Sequence, residues 1–348
     1  MLPDDPADPP SLMAREATEA GDAVRRFGAR SAAALAELGA RLRAAPPPVV
    51  VTGARGSSDH ACTFGKHLIE TELGCPVASV GPSVASVYGR PLLLRGALFV
   101  AVSQSGRSPD LLELTRAARR GGALVLGMVN DLDSPLPELC DAVLPLAAGP
   151  ERSVAATKSC LAAMAAFLQL VAHWRGDAEL RRAADQLPDA LDAARGMDWF
   201  PALRELRDAR GLFVIGRGAA LGVAAEMALK WKETCRVQAE AFSSAELMHG
   251  PLELVRDGFP VLALSQPDAA LAGARPVLER VLSLGARLFT AGEELPGAVA
   301  LPVLAGLPAV LAPLAALQSF YLAVARLARD RGLNPDAPAN LRKVTRTV

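Results

Sequence analysis

The sequence predicts an α/β protein built from two successive copies of one domain. Each copy is a parallel sheet with helices on both faces, a flavodoxin-like or Rossmann-like layer arrangement. Three observations predict it. From Val49 onward, short apolar runs alternate with amphipathic helical segments, the pattern of a parallel sheet covered on both sides. The pattern then comes a second time. Leu212-Phe-Val-Ile-Gly-Arg-Gly218 echoes Val49-Val-Val-Thr-Gly-Ala-Arg55, Phe259-Pro-Val-Leu-Ala-Leu-Ser-Gln266 echoes Leu98-Phe-Val-Ala-Val-Ser-Gln104, and Gly285-Ala-Arg-Leu-Phe289 echoes Gly122-Ala-Leu-Val-Leu126. The offset, about 160 residues each time, is too long for a solenoid and right for a duplicated domain. Finally, 348 residues of which 51% are hydrophobic suffice for one or two full cores.

In chain order, residues 11–28 and 30–44 read as two helices, the second rich in Ala, Leu and Arg and closed by Pro46-Pro-Pro48. There follow a strand at 49–52, a helix at 57–73, a strand at 76–80, a short helix near 82–89 and a strand at 97–102. Next come a helix at 109–120, a strand at 123–128, a short strand near 142–146 and a long helix from 154 to 174. A polar helical segment at 177–195 leads into the second series. The expected organisation is therefore an N-terminal helical arm at 1–45, a first domain at 46–176, a second at 177–335 and a tail at 336–348.

Composition narrows the function classes. Acidic and basic residues number 37 each, so no net field attracts nucleic acid or an acidic membrane, and small-molecule chemistry is the default. Five cysteines form no C-x-x-C pair and are odd in number, which indicates neither a disulfide framework nor a zinc knuckle and fits a reducing cytoplasm. The acidic, proline-rich start lacks the basic and apolar regions of a signal peptide. The apolar tract at 299–327 is interrupted by Pro302, Pro308 and Pro313 and reads as a buried helix over 314–327 rather than a membrane span. Arginines outnumber lysines 32 to five, and four of those five lysines (Lys158, Lys230, Lys232, Lys343) fall in the motifs below. Lys, unlike Arg, can lose its proton and attack a carbonyl, so their placement hints at chemistry.

The stretch around which the chain is organised is Ala97-Leu-Phe-Val-Ala-Val-Ser-Gln-Ser-Gly-Arg-Ser-Pro-Asp110, a buried strand running through hydroxyls into a helix. Ser108 reads as N-cap and Pro109 as first helical residue, where its missing N–H costs nothing. Ser103, Gln104, Ser105 and Ser108 then offer side-chain donors beside free backbone N–H groups and the positive end of a helix dipole, a cradle for phosphate. A second loop of this kind, Val51-Thr-Gly-Ala-Arg-Gly-Ser-Ser58, precedes the helix at 57–73. In the second copy the serine turn has become Ser265-Gln-Pro-Asp268, so only the first copy keeps a full cradle. Gly216-Arg-Gly-Ala-Ala-Leu-Gly222 departs from G-x-G-x-x-G by one residue, and no acidic ribose ligand follows it. Its glycines suit a tight turn and close helix packing rather than a dinucleotide. Glu226, Lys230 and Glu233 recur at i, i+4 and i+7 and share one helical face. On an exposed helix this is an ordinary salt-bridged stripe, whereas Met227 and Trp231 argue that parts of the helix are covered, where a carboxylate held partly dry can act as a base. Of four histidines, His67 and His173 lie inside helices, and His60 follows the first glycine loop. His249, before Gly250-Pro251, suits a rigid loop and proton movement near neutral pH.

Gly56-Ser-Ser-Asp-His-Ala61, Ser103-Gln-Ser-Gly106 and Val154-Ala-Ala-Thr-Lys158 resemble the sugar-isomerase (SIS) domain. With Glu226-Met-Ala-Leu-Lys-Trp-Lys-Glu233, Glu246-Leu-Met-His-Gly-Pro251 and Asn340-Leu-Arg-Lys343, the chain resembles the isomerase half of glutamine-fructose-6-phosphate aminotransferases, in the same motif order from about residue 15. The resemblance implies two tandem SIS domains. It also implies that Ser103, Gln104, Ser105 and Ser108 bind a sugar 6-phosphate, with Ser58, Ala155, Ala156, Thr157 and Lys230 completing the sugar pocket. His249 opens the pyranose ring, Glu233 carries protons between C1 and C2, and Lys343 sits by the open-chain carbonyl. Ala156 replaces a serine of the family pattern, so one hydrogen bond to the sugar, worth about 1 kcal/mol, is lost or supplied elsewhere, which bears on the identity of the sugar more than on the reaction. The residues before Val49 are too few for a glutaminase domain, and no cysteine lies near residue 1. The expected reaction therefore runs from an amino sugar phosphate to a ketose phosphate and ammonia, as in SIS-type glucosamine-6-phosphate deaminases. A fructosamine-6-phosphate deglycase, a plain phosphosugar isomerase, an ammonia-fed synthase and a non-catalytic sugar-phosphate sensor are the alternatives. No cofactor and no metal are required. A cytoplasmic homodimer is implied, with the ring-opening histidine coming from the neighbouring subunit.

Overall fold

The computed structural model describes residues 9–343 and contains two compact units, one mainly from the first half of the chain and one mainly from the second. Residues 1–8 and 344–348, the ends of the expected arm and tail, lie outside the described residues. The chain begins with α1 (Leu12–Thr18), capped by the Ser11 hydroxyl, and α2 (Ala20–Ala44). The break between these helices falls at Glu19, not near residue 29 as the sequence suggested, and Gly28 is carried within α2. Nothing lies within 4 Å of where a Gly28 Cβ would be, so the residue meets no packing demand there.

The first-half unit holds β1 (Val50–Gly53), α3 (Ser57–Leu73), β2 (Val77–Ser79), α4 (Ser83–Ser86), β3 (Leu98–Ser103), α5 (Pro109–Arg120), β4 (Leu124–Val129), β5 (Ala142–Pro145) and α6 (Lys158–Arg175). Its five parallel strands run in the order β2-β1-β3-β4-β5. β3 is buried along its whole length, as a continuous apolar run requires in a sheet covered on both faces. Val51, Phe99, Ala101 and Val125 pack with Ala85 of α4 and with Leu111, Leu114 and Ala118 of α5. On the other side α3 crosses α6 closely, and a Cβ on Gly65 would sit 2.3 Å from the Phe167 ring. Helix α6 starts at Lys158, four residues later than its composition suggested, because the backbone just before it is already committed. The N–H groups of Arg152 and Ser153 donate to the buried Glu16 carboxylate at 2.6 and 3.0 Å, and that of Val154 to the Asp336 carbonyl at 2.9 Å. These bonds fix residues 152–154 outside the helix.

After α7 (Ala178–Ala194) and a short α8 (Phe200–Leu203), the second-half unit repeats the plan. It comprises β6 (Gly211–Gly216), α9 (Ala220–Cys235), β7 (Gln238–Ser243), α10 (Ser244–Leu247), β8 (Pro260–Leu264), α11 (Leu271–Ser283), β9 (Arg287–Ala291), β10 (Val299–Leu301) and α12 (Ala312–Asp330). Its strand order, β10-β9-β8-β6-β7, is that of the first sheet with each strand replaced by its repeat. Phe213, Ile215, Val261, Ala263 and Leu288 pack on Leu247, Leu278 and Val281. The apolar tract near the C-terminus forms the buried helix α12, and among the described residues no helix is long and apolar enough to cross a membrane.

In each sheet the chain runs outward from its first strand and returns to that strand's other side. The reversal leaves a crevice at the C-terminal ends of β1 and β3 in one unit and of β6 and β8 in the other, where open α/β sheets take their ligands.

Candidate active site

At the β1/β3 reversal the serine turn leaves β3 and enters α5. Its shape depends on Gly106, whose φ is +61° and whose Cβ, if present, would sit 1.9 Å from Ser134 Oγ. Ser103 is buried and its Oγ accepts the Gly106 N–H at 2.9 Å, which still leaves its proton to donate. Ser105 and Gln104 are half-buried at the rim, with Ser105 Oγ 3.4 Å from the Arg107 N–H. Ser108 holds the N-cap position, with extended backbone and Pro109 following, but its hydroxyl makes no capping bond. The N-cap assignment holds, and the N3 donor that a capping hydroxyl would accept, the Leu111 N–H, is taken by the Asp110 carboxylate instead. Beneath the turn, Asp110 is fully buried and receives the Arg55 guanidinium at 2.7 and 2.9 Å and the Leu111 N–H at 2.8 Å. This pair ties the loop after β1 to the first turn of α5. Ser58 lies half-buried in the first turn of α3, beyond Gly56 at φ +55°. Asp59 beside it is raised above the ordinary carboxylate range by burial, against the pull of His60 and Arg55.

The same unit holds a residue that sequence reasoning missed. Glu151 is buried, and its carboxylate accepts the Ser159 N–H at 3.1 Å and the Ser159 hydroxyl at 2.6 Å, capping α6. Lys343 Nζ reaches the same carboxylate at 3.0 Å. An acidic residue just ahead of the Val154–Lys158 segment was the only available signal, and its partner lies 192 residues away. Ala155 and Thr157 are buried and Ala156 half-buried in the segment that follows Val154, whose N–H donates to the Asp336 carbonyl.

In the second-half unit the stripe on α9 is not a solvated one. Glu226 and Lys230 have no exposed side-chain surface and lie 3.3 Å apart, while Glu233, one-fifth exposed, also contacts the Lys230 ammonium. Tyr321 of α12 donates its hydroxyl to Glu226 at 2.9 Å. Met227 and Trp231 are fully buried, as the sequence suggested. The chain Tyr321–Glu226–Lys230–Glu233 thus runs from a dry interior to one carboxylate that reaches solvent, an arrangement able to hold a base and pass it a proton. His249 is exposed in the turn after α10, its backbone N–H bonded to the Glu246 carbonyl at 3.0 Å. Gly216 lies where a Cβ would meet the Ala220 carbonyl at 2.4 Å, and Gly218 has φ +60°, so these glycines serve the turn and helix approach. Among the described residues no group of His, Cys, Asp and Glu is arranged to hold a metal ion.

Against known proteins, the SIS domain family profile matches residues 47–173 and 205–287. The glutamine-fructose-6-phosphate aminotransferase of Halobacterium salinarum is 36% identical over 309 residues, which is 83% of this chain and 50% of that one. That of Pyrococcus horikoshii is 32% identical over 308 residues, 85% of this chain and 51% of that one. The chain therefore spans about half the length of the curated relatives it matches. Among solved structures, a candidate phosphosugar isomerase from Silicibacter pomeroyi is 44% identical with a TM-score of 0.88, covering 94% of this chain and 100% of that one. A glucosamine-6-phosphate deaminase from Thermotoga maritima shares the fold at 21% identity, with a TM-score of 0.76 over 97% and 100% of the two chains. With both repeats matched and the relatives aligned across them, the chain belongs to the SIS domain family.

Proposed function

We propose that the protein is an aldose–ketose isomerising deaminase acting on a hexosamine 6-phosphate, with glucosamine 6-phosphate as the reference substrate. The serine turn takes the phosphate through the hydroxyls of Ser103, Ser105 and Ser108 and the Gln104 amide, at the positive end of α5. His249 opens the ring. Glu233 removes the C2 proton to give an enolamine, and reprotonation at C1 leaves an imine at C2. Water adds to that imine and ammonia departs, so the sum is amino sugar phosphate plus water to ketose phosphate plus ammonia. Ser58, Ala155, Ala156 and Thr157 border the sugar, and Lys343, held by Glu151, serves the open-chain carbonyl.

The observation that carries the reading is the α9 stripe: two groups with no solvent contact, Glu226 and Lys230, support a third, Glu233, that reaches solvent. A surface salt-bridge row would not be built this way, whereas a proton-transferring carboxylate needs such support. The similarity to a candidate phosphosugar isomerase at 44% identity supports the substrate class.

A coupled assay for ammonia and fructose 6-phosphate, run on a panel of hexosamine and fructosamine 6-phosphates, tests it. Stoichiometric release of both from glucosamine 6-phosphate is expected. Isomerisation without ammonia, or binding without product, would refute deamination. We also propose that the active form is a homodimer, which light scattering at a monomer mass would contradict.

A further inference from the structure

The second-half unit has its own crevice at the β6/β8 reversal, and the proposed reaction makes no use of it. The crevice encloses about 630 Å³, within the range of small-molecule pockets. Its floor is apolar, formed by Leu264, Ala316 and their neighbours on α12. At its rim stand two polar groups without hydrogen-bond partners among the described residues: Ser265 Oγ, and Oε1 of Gln266, a residue 93% buried by its 7% exposure. Both atoms are themselves buried, and an amide oxygen left without a donor costs about 1–3 kcal/mol, a cost that a donating ligand removes by drawing the Gln266 side chain toward the cavity it borders. The loops are also drawn in tightly, since a Cβ on Gly292 would lie 2.1 Å from the Ser265 carbonyl oxygen and one on Gly218 3.3 Å from Gln266 Nε2.

The counterpart crevice in the first unit is built for an anion, and this one is built against it. Where the first turn has Ser105, this turn has Pro267, which offers no N–H. Where the first has Gly106, this one has Asp268. That carboxylate accepts the Ala270 N–H at 2.8 Å ahead of α11 and also contacts Gln266 Nε2, so this turn carries a negative charge of its own. Glu293 at the cavity wall is neutralised by Arg275, and Glu294 beside it is exposed. What remains is an apolar chamber with hydrogen-bond acceptors at its mouth.

We propose that this crevice is a second small-molecule site, for an uncharged ligand with an apolar body and N–H or O–H donors, the chemical class of nucleosides and aromatic amides. The test is saturation-transfer NMR on the full chain with adenosine and nicotinamide as probes and adenosine 5′-monophosphate as the anionic control. Each is measured on the unmodified protein and on Ala316→Phe, which fills the chamber, and Gln266→Leu, which removes the acceptor. At least one neutral probe is expected to bind, with affinity reduced tenfold or more in Ala316→Phe and about tenfold in Gln266→Leu. The part of the monophosphate signal sensitive to Ala316→Phe is expected to be at least tenfold weaker than that of adenosine. Ammonia release from glucosamine 6-phosphate is unchanged in Ala316→Phe, which separates this site from the proposed reaction. Absence of binding by both neutral probes, binding insensitive to Gln266→Leu, or equal binding of the monophosphate in this chamber would overturn the proposal. Should Ala316→Phe fail to fold, the Gln266→Leu comparison decides alone.

Discussion

Replacing Lys230 by methionine removes the cation that joins Glu226 to Glu233 while nearly preserving side-chain volume. Neither Lys230 nor Glu226 has exposed side-chain surface, and 3.3 Å separates them, so the substitution takes this cation away from a buried carboxylate. Breaking a buried pair from one side costs about 3–5 kcal/mol, far more than the 0–1 kcal/mol of an exposed pair. The Tyr321 hydroxyl still donates to Glu226, which places the expected loss near the lower end, about 3 kcal/mol. Urea unfolding followed by circular dichroism measures it. Adding Glu226→Leu to Lys230→Met removes the buried charge as well and should recover all but about 1 kcal/mol, the remainder being the hydrogen bond from Tyr321 to Glu226. A loss below about 1 kcal/mol for Lys230→Met alone, or no recovery in the double variant, would refute the reading of this stripe as a dry, coupled chain.

Gly106→Ala should destabilise the protein by about 2–3 kcal/mol, from a left-handed φ and from displacement of Ser134, whose hydroxyl donates to the Asp131 carbonyl. It should also raise KM for the phosphosugar, and a melting temperature equal to that of the unmodified protein would contradict the turn geometry. His67 and His173 are both pushed below the usual imidazole value by burial, so in the pH window below about 6.5 the unfolded chain binds protons more readily than the native one. Their contribution is complete above that value and is lost as pH falls, whereas Asp59, raised by burial, works in the opposite direction at lower pH. Melting temperature should therefore drop between pH 7.5 and 5.5, with a shallower slope in the His67→Gln/His173→Gln protein; equal slopes would reject the assignment. Lys343→Met should slow turnover while Ser159 keeps Glu151 satisfied, so folding stability should change by less than about 1 kcal/mol.

The parts of the fold legible in the sequence are those fixed by local pattern. Alternating apolar runs and helices place β3 and α5 to within a residue because a strand buried on both faces is continuously apolar and Pro109 marks a helix start. The duplication is legible for the same reason, since each repeat must rebuild the same sheet. What escapes local reading is set by partners distant in the chain. The start of α6 is delayed by Glu16 and Asp336, and no property of residues 154–157 announces it. Glu151 and Tyr321 escape as candidates because their importance lies in a contact with Lys343, 192 residues on, and with Glu226, 95 residues back. The α9 stripe stands between these cases. Its spacing puts Glu226, Lys230 and Glu233 on one face, but only the packing of α12 shows that two of them are dry.

The most direct test of the proton-transfer role is Glu233→Gln, assayed in parallel for ammonia release and for glucosamine 6-phosphate binding by calorimetry. Turnover should fall by about 10²–10⁴-fold with Kd changed less than about threefold, because the substitution removes a base and leaves the phosphate cradle intact. Turnover within a factor of about three of the unmodified enzyme would contradict the assignment of Glu233 as the base that moves the C2 proton.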